Sequence, residues 1–286
     1  MNLRFGLNLL IHTASFSRAD VGLIDAAAAL GYDGVEVLFG DLDGLDAQAT
    51  RAALQRAGLG VTACCVMTEA ANPCSADAGV RRAALERLRR MADLTAEMGG
   101  AVMAGPLYAP VRYLTGRART ADEWQRCTEV LAAAAAHAER TGVLMAIEPL
   151  NRFETYMVNT VADAVQLCRE VGSPALKVHV DTFHANIEEK DTAAAIRAAG
   201  PYLGHFHASE NDRGVPGTGQ VPWERVFGAL RDVNYSGWVT IESFATGIVD
   251  LCAAACIWRP LYESPEALAR DGLAFLKATA RRAAAA

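Results

Sequence analysis

Residues 143–181 read VLMAIEPLNRFETYMVNTVADAVQLCREVGSPALKVHVD. The stretch opens on an apolar run, Val143 to Ile147, and ends on another, Leu176 to Val180, with a segment of helical period, Val161 to Val171, between them. Short apolar runs on either side of an amphipathic helix are the mark of a βαβ unit, whose two strands lie parallel. Each run stops at a carboxylate, Glu148 after the first and Asp181 after the second. In a parallel barrel the carboxyl ends of the strands share one rim, so this single unit already brings two acids to the same face.

The same alternation extends outward in both directions. Strand-like runs occur at Phe5 to Leu9, Gly34 to Leu38, Val61 to Val66 and Ala101 to Ala104 before the quoted stretch, and at Leu203 to His207 and Trp238 to Ile241 after it. With the two inside the stretch they make eight strands. Segments of helical period intervene at Val21 to Leu30, Ala47 to Ala57, Val80 to Met98, Ala121 to Arg140, Ala193 to Ala199 and Trp223 to Val233, and Pro265 to Ala280 supplies the last. Gly31, Gly58 and Gly142 stand where a helix should end in a left-handed residue before the next strand. Eight βα units are what a closed (β/α)₈ TIM barrel requires. A doubly wound sheet would show a Gly-rich phosphate loop after its first strand, and that loop is absent. No linker divides the chain, so residues 1–286 are expected to form one α/β domain, with the Ala-rich end 281–286 frayed.

Composition narrows the function classes. With 52% apolar residues and a net charge of −6, the 286-residue chain can bury a large core and has no basic footprint for nucleic acid. No apolar run approaches the roughly 18–20 residues of a membrane span, and the amino terminus has no secretory pattern, so a soluble cytoplasmic protein is expected. The seven cysteines show neither zinc-type spacing nor the density of a disulfide scaffold.

Beyond Glu148 and Asp181, two later strand-like runs end in the same manner, at His207 and Glu242. Successive members of the quartet lie roughly 30 residues apart, one βα unit each. A carboxylate at a strand end commonly caps the following helix, and each acid alone has that reading. Four in register point instead to one shared cation, because so much buried negative charge would otherwise be very costly. Three carboxylates and one imidazole, with no thiolate, suit an open octahedral Mn²⁺, Mg²⁺ or Co²⁺ ion better than a closed structural zinc.

Three longer motifs carry a family resemblance: Glu148-Pro149-Leu150-Asn151-Arg152-Phe153-Glu154, Asp181-Thr182-Phe183-His184-Ala185-Asn186-Ile187-Glu188-Glu189, and Gly204-His205-Phe206-His207 followed by Arg213 and Pro216-Gly217. They resemble the D-tagatose 3-epimerase family, which includes the D-psicose (D-allulose) and L-ribulose 3-epimerases, within the xylose-isomerase-like barrels. The resemblance runs from the first strand to Ile257-Trp258-Arg259. It implies that Glu148, Asp181, His207 and Glu242 hold one divalent metal, Mn²⁺ first among the candidates, and that Glu148 and Glu242 are also the acid/base pair. It further implies that Glu154, His184 and Arg213 bind the ketose around O1 and O2, that Cys65 of the Cys64-Cys65 pair lies near O3, and that the protein is a homodimer or homotetramer acting on a free ketose.

The chemistry implied is removal of the proton at C3, next to the carbonyl, and its return to the opposite face through a cis-enediolate. His179 and His205, two residues before a proposed ligand, are expected to fill the core or support the site, and Glu36 to line it from the second strand. His137 is expected at the surface, and His12 carries no assignment. The chain departs from the family pattern at Ser243, where the family has Pro, and over Ala208-Ser209-Glu210-Asn211-Asp212, where Gly is expected before Glu210 and Asn before Arg213. These departures are expected to alter the loops that hold the sugar without touching a ligand. Alternatives on the same quartet are a hydroxypyruvate isomerase-like or inosose dehydratase-like enzyme, or a sugar-binding barrel without turnover.

Overall fold

The computed structural model describes residues 1–285. Eight strands, β1 (Arg4–Asn8), β2 (Gly34–Phe39), β3 (Gly60–Cys65), β4 (Val102–Gly105), β5 (Leu144–Ile147), β6 (Leu176–Asp181), β7 (Leu203–Ala208) and β8 (Trp238–Ile241), follow one another around a closed barrel. All pairs are parallel, and β1 pairs with both β2 and β8. The expected (β/α)₈ barrel is therefore the architecture observed.

Strand register sorts the interior into layers. On the floor, Trp238 packs with Val102, Ala104, Leu144 and Ala146, and a side chain at Gly34 or Gly60 would run into its indole. One layer up the interior is polar. Asn8, Glu36 and Thr62 stand side by side across β1, β2 and β3, and His179 faces His205 across β6 and β7. Each of these is at most 1% exposed. Barrel interiors are usually filled by branched apolar residues, so this layer has to be explained by what stands on it.

The outer layer is α1 (Gly22–Leu30), α2 (Ala47–Ala57), α3 (Ala78–Glu97), α4 (Ala121–Thr141), α5 (Val161–Val171), α6 (Thr182–Glu188), α7 (Thr192–Ala199), α8 (Trp223–Asp232), α9 (Val249–Ala255) and α10 (Pro265–Ala285). Local chemistry sets several of their ends. Thr120 and Thr160 each begin a helix with a reciprocal capping box, with Glu123 and Asp163 respectively. Gly31, Gly58 and Gly142 close α1, α2 and α4 in the left-handed region, as expected. Two helices were not anticipated from sequence, α6 directly after β6 and α9 beyond β8.

The tail expected to fray from residue 281 is instead helical to Ala285, while Ala286 lies outside the described residues. The reason is tertiary: Ala283 is buried, and the Arg231 guanidinium donates to its carbonyl at 3.0 Å. Among the described residues no helix is long and apolar enough to cross a membrane.

Candidate metal centre

Glu148 follows β5, Asp181 ends β6, His207 lies in β7 and Glu242 follows β8, so four successive strand ends point one side chain each at the barrel mouth. One donor atom from each lies within 4.8 Å of the others, and all four residues are buried. Glu148 Oε1 and His207 Nδ1 are buried without a hydrogen-bond partner. Burial, then the charge of Glu242, pushes Glu148 well above the ordinary carboxylate range. Orphaned donor atoms and mutually repelling buried carboxylates are what a divalent cation relieves, and an oxygen-rich set with one imidazole fits such an ion.

Asp181 does two jobs, which reconciles the competing readings of its sequence position. Its Oδ1 accepts from the Phe183 and His184 amides at 2.6 and 3.1 Å, capping α6, which leaves Oδ2 for the centre. Burial alone would raise its pKa, but the Arg213 guanidinium holds Asp181 well below the ordinary range.

The polar layer beneath explains how His207 is aimed. Glu36 accepts from His207 Nε2 at 2.6 Å, His205 Nε2 at 2.7 Å, Asn8 Nδ2 at 2.9 Å and Thr62 Oγ1 at 2.7 Å. Against the cost of burial, His207 and His205 keep Glu36 well below the ordinary carboxylate range. A proton held on His207 Nε2 leaves the Nδ1 lone pair free, the usual arrangement of a carboxylate behind a ligating histidine. Glu36 thus sits one layer under the centre and meets it through His207. His205 completes the Glu36 network. His179, also fully buried, packs edge-on against His207 at 4.0 Å; among the described residues neither ring nitrogen has a hydrogen-bond partner, and Nδ1 lies 3.7 Å from Glu148 Oε2.

A cavity of about 300 Å³ opens over the four donors, lined by Glu148, Glu242, Glu154, His184 and Arg213 on its polar side, and a wider one of about 580 Å³ shares Glu154 and Arg213 farther out. The structure thus brings the proposed sugar-binding residues to the metal centre, with one exception. His184 Nδ1 accepts from the Asn151 amide at 3.1 Å, while its Nε2 lies 3.8 Å from Glu148 Oε1 and 3.1 Å from Arg213 Nη2. Burial pushes the His184 pKa down to about 3, keeping the ring neutral. His184 and the Arg213 guanidinium thus stand side by side on the polar wall of the cavity. Glu154 is held by Asn151 Nδ2 at 2.7 Å.

The exception is Cys65. Strand alternation turns Cys64 inward with Thr62, and Cys64 lines the cavity, whereas Cys65 packs in the apolar layer between barrel and helices. The inward thiol is Cys64, whose pKa is raised by burial and then by the charges of Glu36, Glu242 and Glu148. Adjacent strand residues cannot face the same side, and register with Glu36 is the signal that would have chosen between them. His137, expected at the surface, is half-buried and meets Asp93 at 2.7 Å across α3 and α4. His12 lines neither cavity.

Contrary to expectation, one of the departures from the family pattern, Ser209, touches a ligand. Ser209 Oγ lies 2.7 Å from Asp181 Oδ2 and 2.8 Å from Arg213 Nη1, and Ser243 Oγ donates to the Arg213 carbonyl at 2.6 Å. Sequence reasoning missed Ser209 as a site residue. It lies two positions past His207, on the same inward parity.

With the geometry established, comparison with known proteins places the chain. The model of the xylose isomerase-like TIM barrel family matches residues 24–279. A probable ketose 3-epimerase of Synechocystis sp. is 34% identical, covering 97% of this chain and 96% of its own. The L-ribulose 3-epimerase of Mesorhizobium japonicum is 34% identical, covering 98% and 96%. Among solved structures, the D-allulose 3-epimerase from Methylomonas sp. in complex with D-allulose superposes with a TM-score of 0.92 at 31% identity, covering 97% of each chain. The chain belongs to the ketose 3-epimerases, isomerases of the xylose isomerase-like TIM barrel family.

Proposed function

We propose that this protein inverts C3 of a free ketose with the aid of one divalent metal ion held by Glu148, Asp181, His207 and Glu242. The observation that carries the reading is that Glu148 and Glu242 belong to the donor cluster and also line the cavity above it. A metal ion bound there would polarise the ketose carbonyl and offset the charge that develops as the C3 proton leaves. One of the two glutamates takes that proton and the other returns one to the opposite face, with roles exchanged by the direction of reaction. His184 and Arg213, side by side on the cavity wall, bind the O1/O2 end, and Arg213 suits this because its planar fork offers several donors. Glu154 accepts from a neighbouring hydroxyl, and the inward Cys64 thiol takes the position near O3 that sequence had given to Cys65.

An oxygen-rich donor set with one imidazole favours Mn²⁺, with Co²⁺ and Mg²⁺ as the other candidates. Phe153, Val249 and Trp258 are large apolar side chains left more than two-thirds exposed, which supports assembly as a homodimer or homotetramer of this single-domain chain. A cytoplasmic location accords with a small-sugar substrate. The test is incubation of the Mn²⁺-loaded protein with free ketohexoses and ketopentoses in deuterated water, followed by NMR. Deuterium incorporation with inversion at C3 supports epimerisation. Aldose formation, water loss or inversion at C4 would assign a different reaction to the same quartet, and no turnover of any ketose would leave a binding barrel.

A further inference from the structure

Ser209 and Ser243 are fully buried, and the proton transfers described above use neither. Both hydroxyls meet Arg213. That residue has φ 64°, in the left-handed region, which an arginine adopts only where its surroundings hold it. Its amide donates to the Glu210 carbonyl at 2.9 Å, and its carbonyl accepts from Ser243 Oγ at 2.6 Å. From that backbone position the guanidinium passes between the Phe183 and Phe244 rings, 4.0 and 5.0 Å from their centres, and reaches Asp181 Oδ2 at 3.0 Å. Ser209 Oγ sits at that end, accepting from Arg213 Nη1, with Asp181 Oδ2 at 2.7 Å as the nearer acceptor for its one proton and the Glu242 carbonyl at 3.2 Å as the farther. Asp181 Oδ1 is committed to two amides, so Ser209 bears on the oxygen that Asp181 offers to the centre.

We propose that Ser209 and Ser243 form a two-point clamp on Arg213, with Ser243 holding its backbone and Ser209 tying its guanidinium to the metal-facing oxygen of Asp181. Both are positioning residues, and the inference rests on the epimerase reading only for the role of Arg213 in sugar binding. The two ends of the clamp have different signatures. Ser243 touches no ligand side chain and reaches Asp181 and Glu242 only through the Arg213 guanidinium, which donates to both, so its loss falls mainly on sugar binding. Ser209 bears on Arg213 and Asp181 together, so its loss weakens both sugar and metal.

The experiment compares the parent with Ser209→Ala, Ser243→Ala and Ser243→Thr. Steady-state kinetics is followed on a ketose the parent epimerises, and Mn²⁺ affinity is measured by electron paramagnetic resonance without sugar. Ser243→Ala is expected to raise KM about 10-fold and to lower Mn²⁺ affinity by less than about 3-fold, and Ser243→Thr, which keeps the hydroxyl, to return KM to within about 3-fold of the parent. Ser209→Ala is expected to raise KM and to weaken Mn²⁺ binding, each about 10-fold. Parental KM in either alanine variant, a threonine variant as impaired as the alanine one, or equal loss of Mn²⁺ affinity in both alanine variants would overturn the clamp. Should Ser209→Ala fail to fold, the Ser243 pair decides alone. Should the parent turn over no ketose, the epimerase reading fails, and the clamp is then judged on whether Ser209→Ala weakens Mn²⁺ binding more than Ser243→Ala does.

Discussion

At the scale of single residues, the centre depends on which atom of each side chain is already committed. Asp181 gives one oxygen to two amides and His207 gives one nitrogen to Glu36, so the remaining atom of each is aimed without further choice. Replacing Glu36 by Gln should therefore loosen His207 while leaving all four donors present. Mn²⁺ affinity is expected to fall about 10- to 100-fold by isothermal titration, and parental affinity would show that the network does not orient the ligand. Glu242→Gln keeps the size of the side chain and removes a proton carrier. Activity should drop about 10²- to 10⁴-fold in both directions, and near-normal epimerisation by the Mn²⁺-loaded variant would defeat the two-glutamate scheme. The four donors were legible because each ends an apolar run. Glu36 was legible only as a residue facing inward, because its partner His207 lies 171 residues away in sequence and meets it only when the barrel closes.

At the scale of elements, helices announced by their own caps were legible and those held from a distance were not. The start of α4 could be read from Thr120 and Glu123, a capping box that the structure contains. Glu123 also pairs with Arg117 at 2.8 Å and accepts from Tyr156 at 3.0 Å. The hydrogen bond from Arg117, outweighing burial, pulls the Glu123 pKa down to about 2. A carboxylate depressed in the folded state stabilises it fully above its unfolded pKa, near 4.5, and loses that contribution as pH falls toward 2. Glu123→Gln should accordingly lower Tm at pH 6, by an amount that shrinks steadily between pH 4.5 and 2, as followed by circular dichroism. A difference constant across that range would count against the ion pair. By contrast, α9 ends on carbonyls of Ala253 and Ala254 that accept from Arg112, at 3.3 and 3.4 Å, from the far side of the mouth. No local pattern signals such a stop. The short helix α6 escaped notice because its cap, Asp181, also terminates a strand.

At the scale of the whole molecule, barrel closure assembles the centre, since β8 must return to β1 before Glu242 can stand beside Glu148. A cation that binds only this closed arrangement should stabilise the fold. At about 100 times its dissociation constant the gain is about 2.7 kcal/mol, a rise in Tm of roughly 4–5 °C for a chain of this size that a chelator reverses. A melting temperature indifferent to Mn²⁺ would remove the four donors as a metal site. By itself the sequence determined that eight βα units alternate and that an acid or imidazole ends each of four strands, because periodicity and strand ends are local properties of the chain. Only the tertiary structure decided that Cys64 rather than Cys65 turns inward, that Glu36 stands behind His207, that the tail continues its helix, and that Ser209 and Ser243 meet on Arg213. Apart from the Ser209–Arg213 contact, which spans only four residues, these depend on parts of the chain distant in sequence, brought together by strand register and by the closing of the barrel.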